Sequence, residues 1–194
     1  MTANRSAATH GIDRPGPAGS ITVAGCGNWL IGADRIGPRV MTMVDGRWGE
    51  RVTTCDIGTG ALALLDHLES QDLLVVVDAC VGHGTPGEVL ELEPGLDIGL
   101  TRGTSAHQIG PAEALTVGRH LYPELMPRRV LFLLVETDGL TDELEDAACE
   151  QVVRILDREI GPPGDRAAAT AGGSRSEEGR TPWQNKLICN ESRA

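Results

Sequence analysis

The sequence predicts an α/β domain built as three layers: a mostly parallel, twisted sheet of about five strands with helices on both faces. Three observations lead there. Short apolar runs alternate with amphipathic segments throughout residues 20–160. Glycine is frequent, at 25 of 194 residues, as a chain with many strand-to-helix turns requires. The apolar content is almost all aliphatic, since Trp, Tyr and Phe number 3, 1 and 1.

The elements follow in order. "ITVAGCG" (21–27) is a buried strand ending in a glycine turn. "DRIGPRVMTMV" (34–44) is a short helix, with Asp34 placed as N-cap and Pro38 tolerable only in the first turn. "RVTTCDIG" (51–58) is a second strand and "GALALLDHLES" (60–70) an amphipathic helix. "DLLVVVDAC" (72–80) is the most apolar strand and belongs at the centre. "GEVLELEP" (87–94) alternates like a half-exposed strand. "SAHQIGPAEALTVGRHLY" (105–122) enters and forms a helix, and "RRVLFLLVE" (128–136) is another buried strand. "TDELEDAACEQVVRILDREI" (141–160) is the last helix, with Thr141 as N-cap and Leu144, Ala148, Val152 and Ile155 along one face.

This domain, 20–160, lies between two segments rich in Gly, Pro, Ala and Ser without periodicity. Residues 1–19 and 161–194 are therefore expected to be disordered tails.

Composition narrows the function. Lys plus Arg is 17 against 28 Asp plus Glu, a formal net charge of −11. Neither nucleic acid nor an anionic membrane suits such a chain as main partner, because both need a basic surface. No apolar run approaches the ~20 residues of a membrane span, and the N-terminus has no apolar signal-like core. Cys26, Cys55, Cys80, Cys149 and Cys189 are scattered and lack a C-x-x-C pair. They read as buried small residues of a cytoplasmic protein, and neither as a disulfide framework nor as a zinc site. A monomer is expected.

In open parallel sheets the site lies at the carboxyl ends of the strands. One candidate there is a dinucleotide loop. Gly25 and Gly27 fit the start of G-x-G-x-x-G, and Asp56 stands where a ribose-binding acid would, at the end of the second strand. The third glycine, Gly32, comes two positions late, and Trp29 would crowd a pyrophosphate.

A second candidate is a ligand set. Asp34 lies just past the first strand, Asp78 ends the most buried strand, and His107 sits at a helix entry. Topology directs all three loops to one edge. Two carboxylates and an imidazole suit a divalent first-row metal with open positions. Each has an ordinary alternative: Asp34 as helix cap, Asp78 as loop organiser, His107 as surface histidine. His83, in the turn "VGHGTPG", is a competing ligand, His120 is placed to meet its helix dipole, and His67 lies on a helix surface. There is no G-x-S-x-G elbow, H-E-x-x-H or phosphate-binding loop.

Taken together, these segments resemble the endopeptidases that mature nickel–iron hydrogenases. That family opens with G-x-G-N-x-L-x-x-D-(D/E)-x-x-G, matched by "GCGNWLIGADRIG" through Gly25, Gly27, Asn28, Leu30, Asp34 and Gly37. "DIGTGALALL" (56–65) is similar to its D-G-G-T turn and leucine-rich helix, and "VVVDAC" to its strand ending in D-A. "TPGEVLEL" and "TSAHQIGPAEAL" match its P-G-x strand and histidine segment. The resemblance spans about 21–160. It departs at Ala33, where the family usually has a second acid, and in "VETDGLTDEL", which is shorter than in many members.

The resemblance implies an endopeptidase that removes a C-terminal peptide from the nickel-loaded precursor of a hydrogenase large subunit. The nickel would be supplied by that precursor. It implies Asp34, Asp78 and His107 as metal-recognition ligands, with Asp34 and Asp78 also the catalytic candidates. An inactive, chaperone-like relative and a nucleotide-binding oxidoreductase are the alternatives.

Overall fold

The computed structural model describes residues 19–93 and 109–162. His107, Cys189 and nearly all of both predicted tails lie outside the described residues. The chain divides into Met1–Gly164 and Asp165–Ala194, and the second unit falls wholly outside them.

Five strands form one sheet. β1 (Ile21–Cys26), β2 (Val52–Gly58), β3 (Leu73–Cys80), β4 (Val89–Leu92) and β5 (Arg129–Glu136) stand in the order β2-β1-β3-β5-β4. β1, β2, β3 and β5 run parallel, and only β4 is antiparallel, paired with β5. The most apolar strand, β3, is central, as its composition demands. It pairs on both sides and buries Leu73 through Val77.

Strand alternation divides the core into two layers. Val23, Val75, Val77, Leu131, Leu133 and Val135 meet α1 (Ile36–Val44) and α3 (Asp142–Ile160) on one face. Ala24, Leu74, Val76 and Phe132 meet the opposite layer, where Leu64, Leu68 and Leu115 close over them. Leu115 belongs to α2 (Pro111–Leu121), which begins with proline at a first-turn position where no N–H is needed. The predicted three-layer α/β architecture is what forms.

Local structure departs from expectation in three places. Asp34 does not cap α1. It ends a 3-10 turn, Gly32–Asp34, and the cap position falls to Arg35, with no side-chain cap bond. Residues 61–67 form a 3-10 helix and not an α-helix. Its buried residues, Ala61 and Leu64, are three apart, the spacing that a three-residue turn aligns on one face. In α3, Thr141 does cap the helix, its hydroxyl accepting from the Leu144 amide at 3.3 Å. Leu144, however, is exposed, and its neighbour Glu145 is buried at 3 % exposure. The cause is two arginines, one at the start of α1 and one within it: Arg35 and Arg39 both donate to Glu145 and draw a carboxylate into the α1–α3 seam.

Candidate active site

The glycines of the opening motif act by close packing. A Cβ on Gly37 would lie 2.1 Å from the Cys26 carbonyl oxygen and 2.8 Å from that of Val77, so α1 crosses β1 and β3 at backbone contact. A Cβ on Gly25 would lie 2.6 Å from the Gly37 oxygen. Gly27, at φ +138°, would drive a Cβ to 2.0 Å from the Asp34 oxygen. The sharp turn after β1 therefore closes on Asp34 itself.

Asn28 fixes the rest of that loop. Its N–H donates to the Asp34 carbonyl at 2.8 Å, and its side-chain oxygen accepts from the Leu30 amide at 2.9 Å. The Asp34 amide returns to the Ile31 carbonyl at 2.8 Å, completing the 3-10 turn. The loop is thus closed at its base, while Trp29, Leu30 and Ile31 project outward with Leu30 93 % exposed. This arrangement leaves Asp34 at the sheet edge, half-buried, with its backbone N–H and carbonyl both bonded.

Asp78 reaches the same edge from β3. It follows Leu74 and Val76 on one side of the strand, the side that also carries Cys26. Its carboxylate accepts from the Ala79 amide at 2.8 Å. Burial pushes the Asp78 carboxyl up to about 6; the Ala79 N–H opposes that rise and the Asp34 charge adds to it. Burial also raises Asp34, against the Asn28 backbone bond. Asp78 therefore senses the charge of Asp34, as carboxylates sharing a half-buried edge do. The Cys26 thiol beside them is pushed up to about 12 by burial and then by the charges of Asp78 and Asp34, so it stays protonated.

The other candidates separate from this pair. The Asp56 side chain accepts from the Gly58 amide at 2.9 Å, at the end of β2. His120 bonds the Thr116 carbonyl through Nδ1 at 2.8 Å, one turn back along α2. His67 ends the 3-10 helix, half-buried. His83 is exposed in the turn after β3. His107 lies outside the described residues. Among the described residues, no group of three His, Cys, Asp or Glu side chains is placed to hold a metal ion.

One structural carboxylate has no counterpart among the residues the sequence singled out. Glu136, at the end of β5 and 1 % exposed, accepts from the amides of Gly82 (3.1 Å), His83 (2.6 Å), Gly84 (3.1 Å) and Asp138 (3.0 Å). These bonds, led by His83 and Asp138, hold its carboxyl down to about 2. It pins the turn after Asp78 to the end of β5. A signal for it exists, because "VLFLLVE" ends in a lone acid much as "VVVD" does.

A mostly parallel sheet whose carboxyl edge brings Asp34 within electrostatic reach of Asp78 defines an α/β protein with a candidate site built on acids. A family model described as hydrogenase maturation protease, HycI, matches residues 40–160, and the chain belongs to that family, a family of peptidases. The matched stretch contains Asp78 and His107, and Asp34 precedes it. Among solved structures, the chain is similar to the hydrogenase maturating endopeptidase HybD from E. coli, at 28% identity, 77% of this chain, 99% of that chain and a TM-score of 0.59. It is also similar to an endopeptidase from Escherichia coli solved in solution, at 27% identity over 74% and 95% of the two chains, TM-score 0.60. The [NiFe] hydrogenase maturation protease HycI from Thermococcus kodakarensis KOD1 shares the fold, at 20% identity over 73% and 92%, TM-score 0.58. A comparison with curated proteins gives no match. Family membership sets aside the oxidoreductase alternative; the glycines that suggested it serve the α1 crossing.

Proposed function

We propose that this protein cleaves a C-terminal peptide from the nickel-loaded precursor of a nickel–iron hydrogenase large subunit. Asp34, Asp78 and His107 read the metal. The observation that carries the proposal is the placement of Asp34 and Asp78 together at the carboxyl edge of a hydrogenase maturation protease fold.

Peptide hydrolysis requires a water made nucleophilic and a developing oxyanion stabilised. Nickel enters as part of the substrate, held by the precursor and presented at the edge. Two hard carboxylates and one imidazole bind such an ion moderately, which suits inspecting a metal better than storing it. Asp34, Asp78 and His107 would contact that ion, which would supply polarisation of a carbonyl and a more acidic water. Asp78, ionised above about pH 6, is suited to accept a proton from that water.

The position of α2 supports the role of His107. The segment after α2 is pinned to the amino-terminal edge of the sheet: the Ser70 amide donates to the Leu125 carbonyl at 2.8 Å and the Arg128 amide to that of Gln71 at 2.9 Å. α2 spans 11 residues, about 16 Å. Its first turn therefore starts toward the carboxyl edge, and His107 precedes it by four residues. Cys26, Cys55, Cys80 and Cys149 are free, in keeping with a cytoplasmic site of action. No helix among the described residues is long and apolar enough to cross a membrane.

The test compares nickel-loaded with nickel-free precursor and follows release of the C-terminal peptide by mass spectrometry. Cleavage of the loaded form alone is expected. Equal cleavage of both would overturn the metal-reading role.

A further inference from the structure

The geometry points to Glu145 as a positioning residue that holds the Arg35 guanidinium away from Asp34 and Asp78. This inference rests on the reading of those two carboxylates as the reactive site.

Arg35 follows Asp34 directly, so a long cationic side chain starts one residue from a candidate carboxylate. A guanidinium is the side chain best shaped to grip carboxylates in bidentate fashion. Turned toward the Asp34–Asp78 edge, it would pair with the groups that a metal-bearing precursor must reach. The structure commits it elsewhere. Arg35 Nε donates to both oxygens of Glu145, at 2.7 and 3.0 Å, and Nη2 donates to Oε2 at 2.7 Å. Nη2 also reaches Asp142 at 2.9 Å.

Glu145 is unlike the other acids of α3. Asp142 is 94 % exposed at its side chain, and such a pair is screened and weak. Glu145 is 3 % exposed and faces α1 from inside the α1–α3 seam. Arg39 braces it from the far side, donating to Oε1 at 2.8 Å and pairing with Asp146 as well. The buried carboxylate is therefore held by two cations, and Arg39 keeps it paired when Arg35 is removed. A purely structural tie between α1 and α3 would have the same bonds, but it predicts a different response when Arg35 is also removed.

Processing of nickel-loaded precursor by the full chain separates the two. Glu145→Ala is expected to slow cleavage at least tenfold, because it leaves Arg35 only the exposed Asp142, a weak partner. Arg35→Ala is expected to stay within about threefold of the parent. The double variant Glu145→Ala/Arg35→Ala is expected to recover to within about threefold, since no cation remains to intrude. A slow double variant that melts cooperatively, or an Arg35→Ala variant as slow as Glu145→Ala, would overturn the inference. If the double variant does not fold, Glu145→Gln and Glu145→Gln/Arg35→Met are compared by the same criterion. A parent chain that fails to cut the loaded precursor counts against the proposed function instead. The crystal structure of Glu145→Ala then decides this inference: Arg35 paired with Asp34 or Asp78 supports it, and Arg35 remaining along α3 overturns it.

Discussion

Gly37 of α1 rests on Cys26 of β1 so closely that no side chain fits between them: a Cβ on Gly37 would stand 2.1 Å from the Cys26 oxygen and 2.5 Å from its nitrogen. Backbone on both sides cannot yield as a flexible side chain would. Gly37→Ala is therefore expected to push α1 off the sheet and cost about 3 kcal/mol of stability, the upper range for overpacking. Urea unfolding of the parent and variant measures it. Because α1 follows Asp34 by only one residue, the surviving folded fraction is also expected to process precursor poorly.

The pH dependence of stability should carry the mark of Asp78. Its carboxyl stands at about 6 in the folded chain against 3.8 for a free side chain, with burial as the main cause. The folded state therefore binds more protons than the unfolded state between those values, and stability falls as pH rises from about 4 through 6. Asp78→Asn removes this penalty. It is expected to raise stability relative to the parent at pH 8, by on the order of 3 kcal/mol at most, with the gap closing toward pH 4. Melting curves at pH 4, 5.5 and 8 check this. The same variant should lose processing, which separates a residue kept for chemistry from one kept for folding.

Glu136 gives the opposite sign. Its carboxyl is held down to about 2, chiefly by the amides of His83 and Asp138, so its contribution is complete above about pH 4.5 and is lost as pH falls through 2. Glu136→Gln keeps the shape but replaces an acceptor-only group by one with two donors, which then face amide N–H groups. The amides of Gly82, His83, Gly84 and Asp138 are expected to exchange faster with solvent than in the parent, with a lower melting temperature. Unchanged protection at all four would show that the turn is held by other means.

Much of the fold and the two carboxylates of the candidate site are legible in the sequence, for identifiable reasons. β3 can be placed at the centre because Leu73 through Val77 are all apolar, and such a run tolerates no exposed face. Thr141 can be recognised as a cap because the spacing to the helix start fixes the bond. Asp78 stands out as a charge ending that apolar strand. What is not legible depends on partners far along the chain. Glu145 looks like one more exposed acid until Arg35 and Arg39, more than 100 residues away, are seen to meet it. Leu144 loses its place in the core to that pairing. Asp34 looks like a cap because local spacing allows it; the close contact of Gly27 with its carbonyl, a tertiary fact, moves it into the preceding turn.

On the proposed reading, the apolar tip beside Asp34 is a surface for the precursor to meet. Trp29, Leu30 and Ile31 are exposed by 51, 93 and 53 %, yet Asn28 fixes the loop that carries them. A fixed loop displaying three consecutive large apolar residues gains nothing from them in the free protein, and covering them on binding recovers roughly 25 cal/mol for each Å² removed from water. Since the loop ends in Asp34, a chain engaged at the carboxylate pair passes close to it. Leu30→Ser is expected to leave folding stability within about 0.5 kcal/mol of the parent, because the side chain touches almost nothing. It is expected to raise KM for the precursor several-fold while kcat changes little, as loss of uniform binding does. Steady-state processing at a series of precursor concentrations measures both constants, and an unchanged KM would mean that the precursor approaches the site from another side.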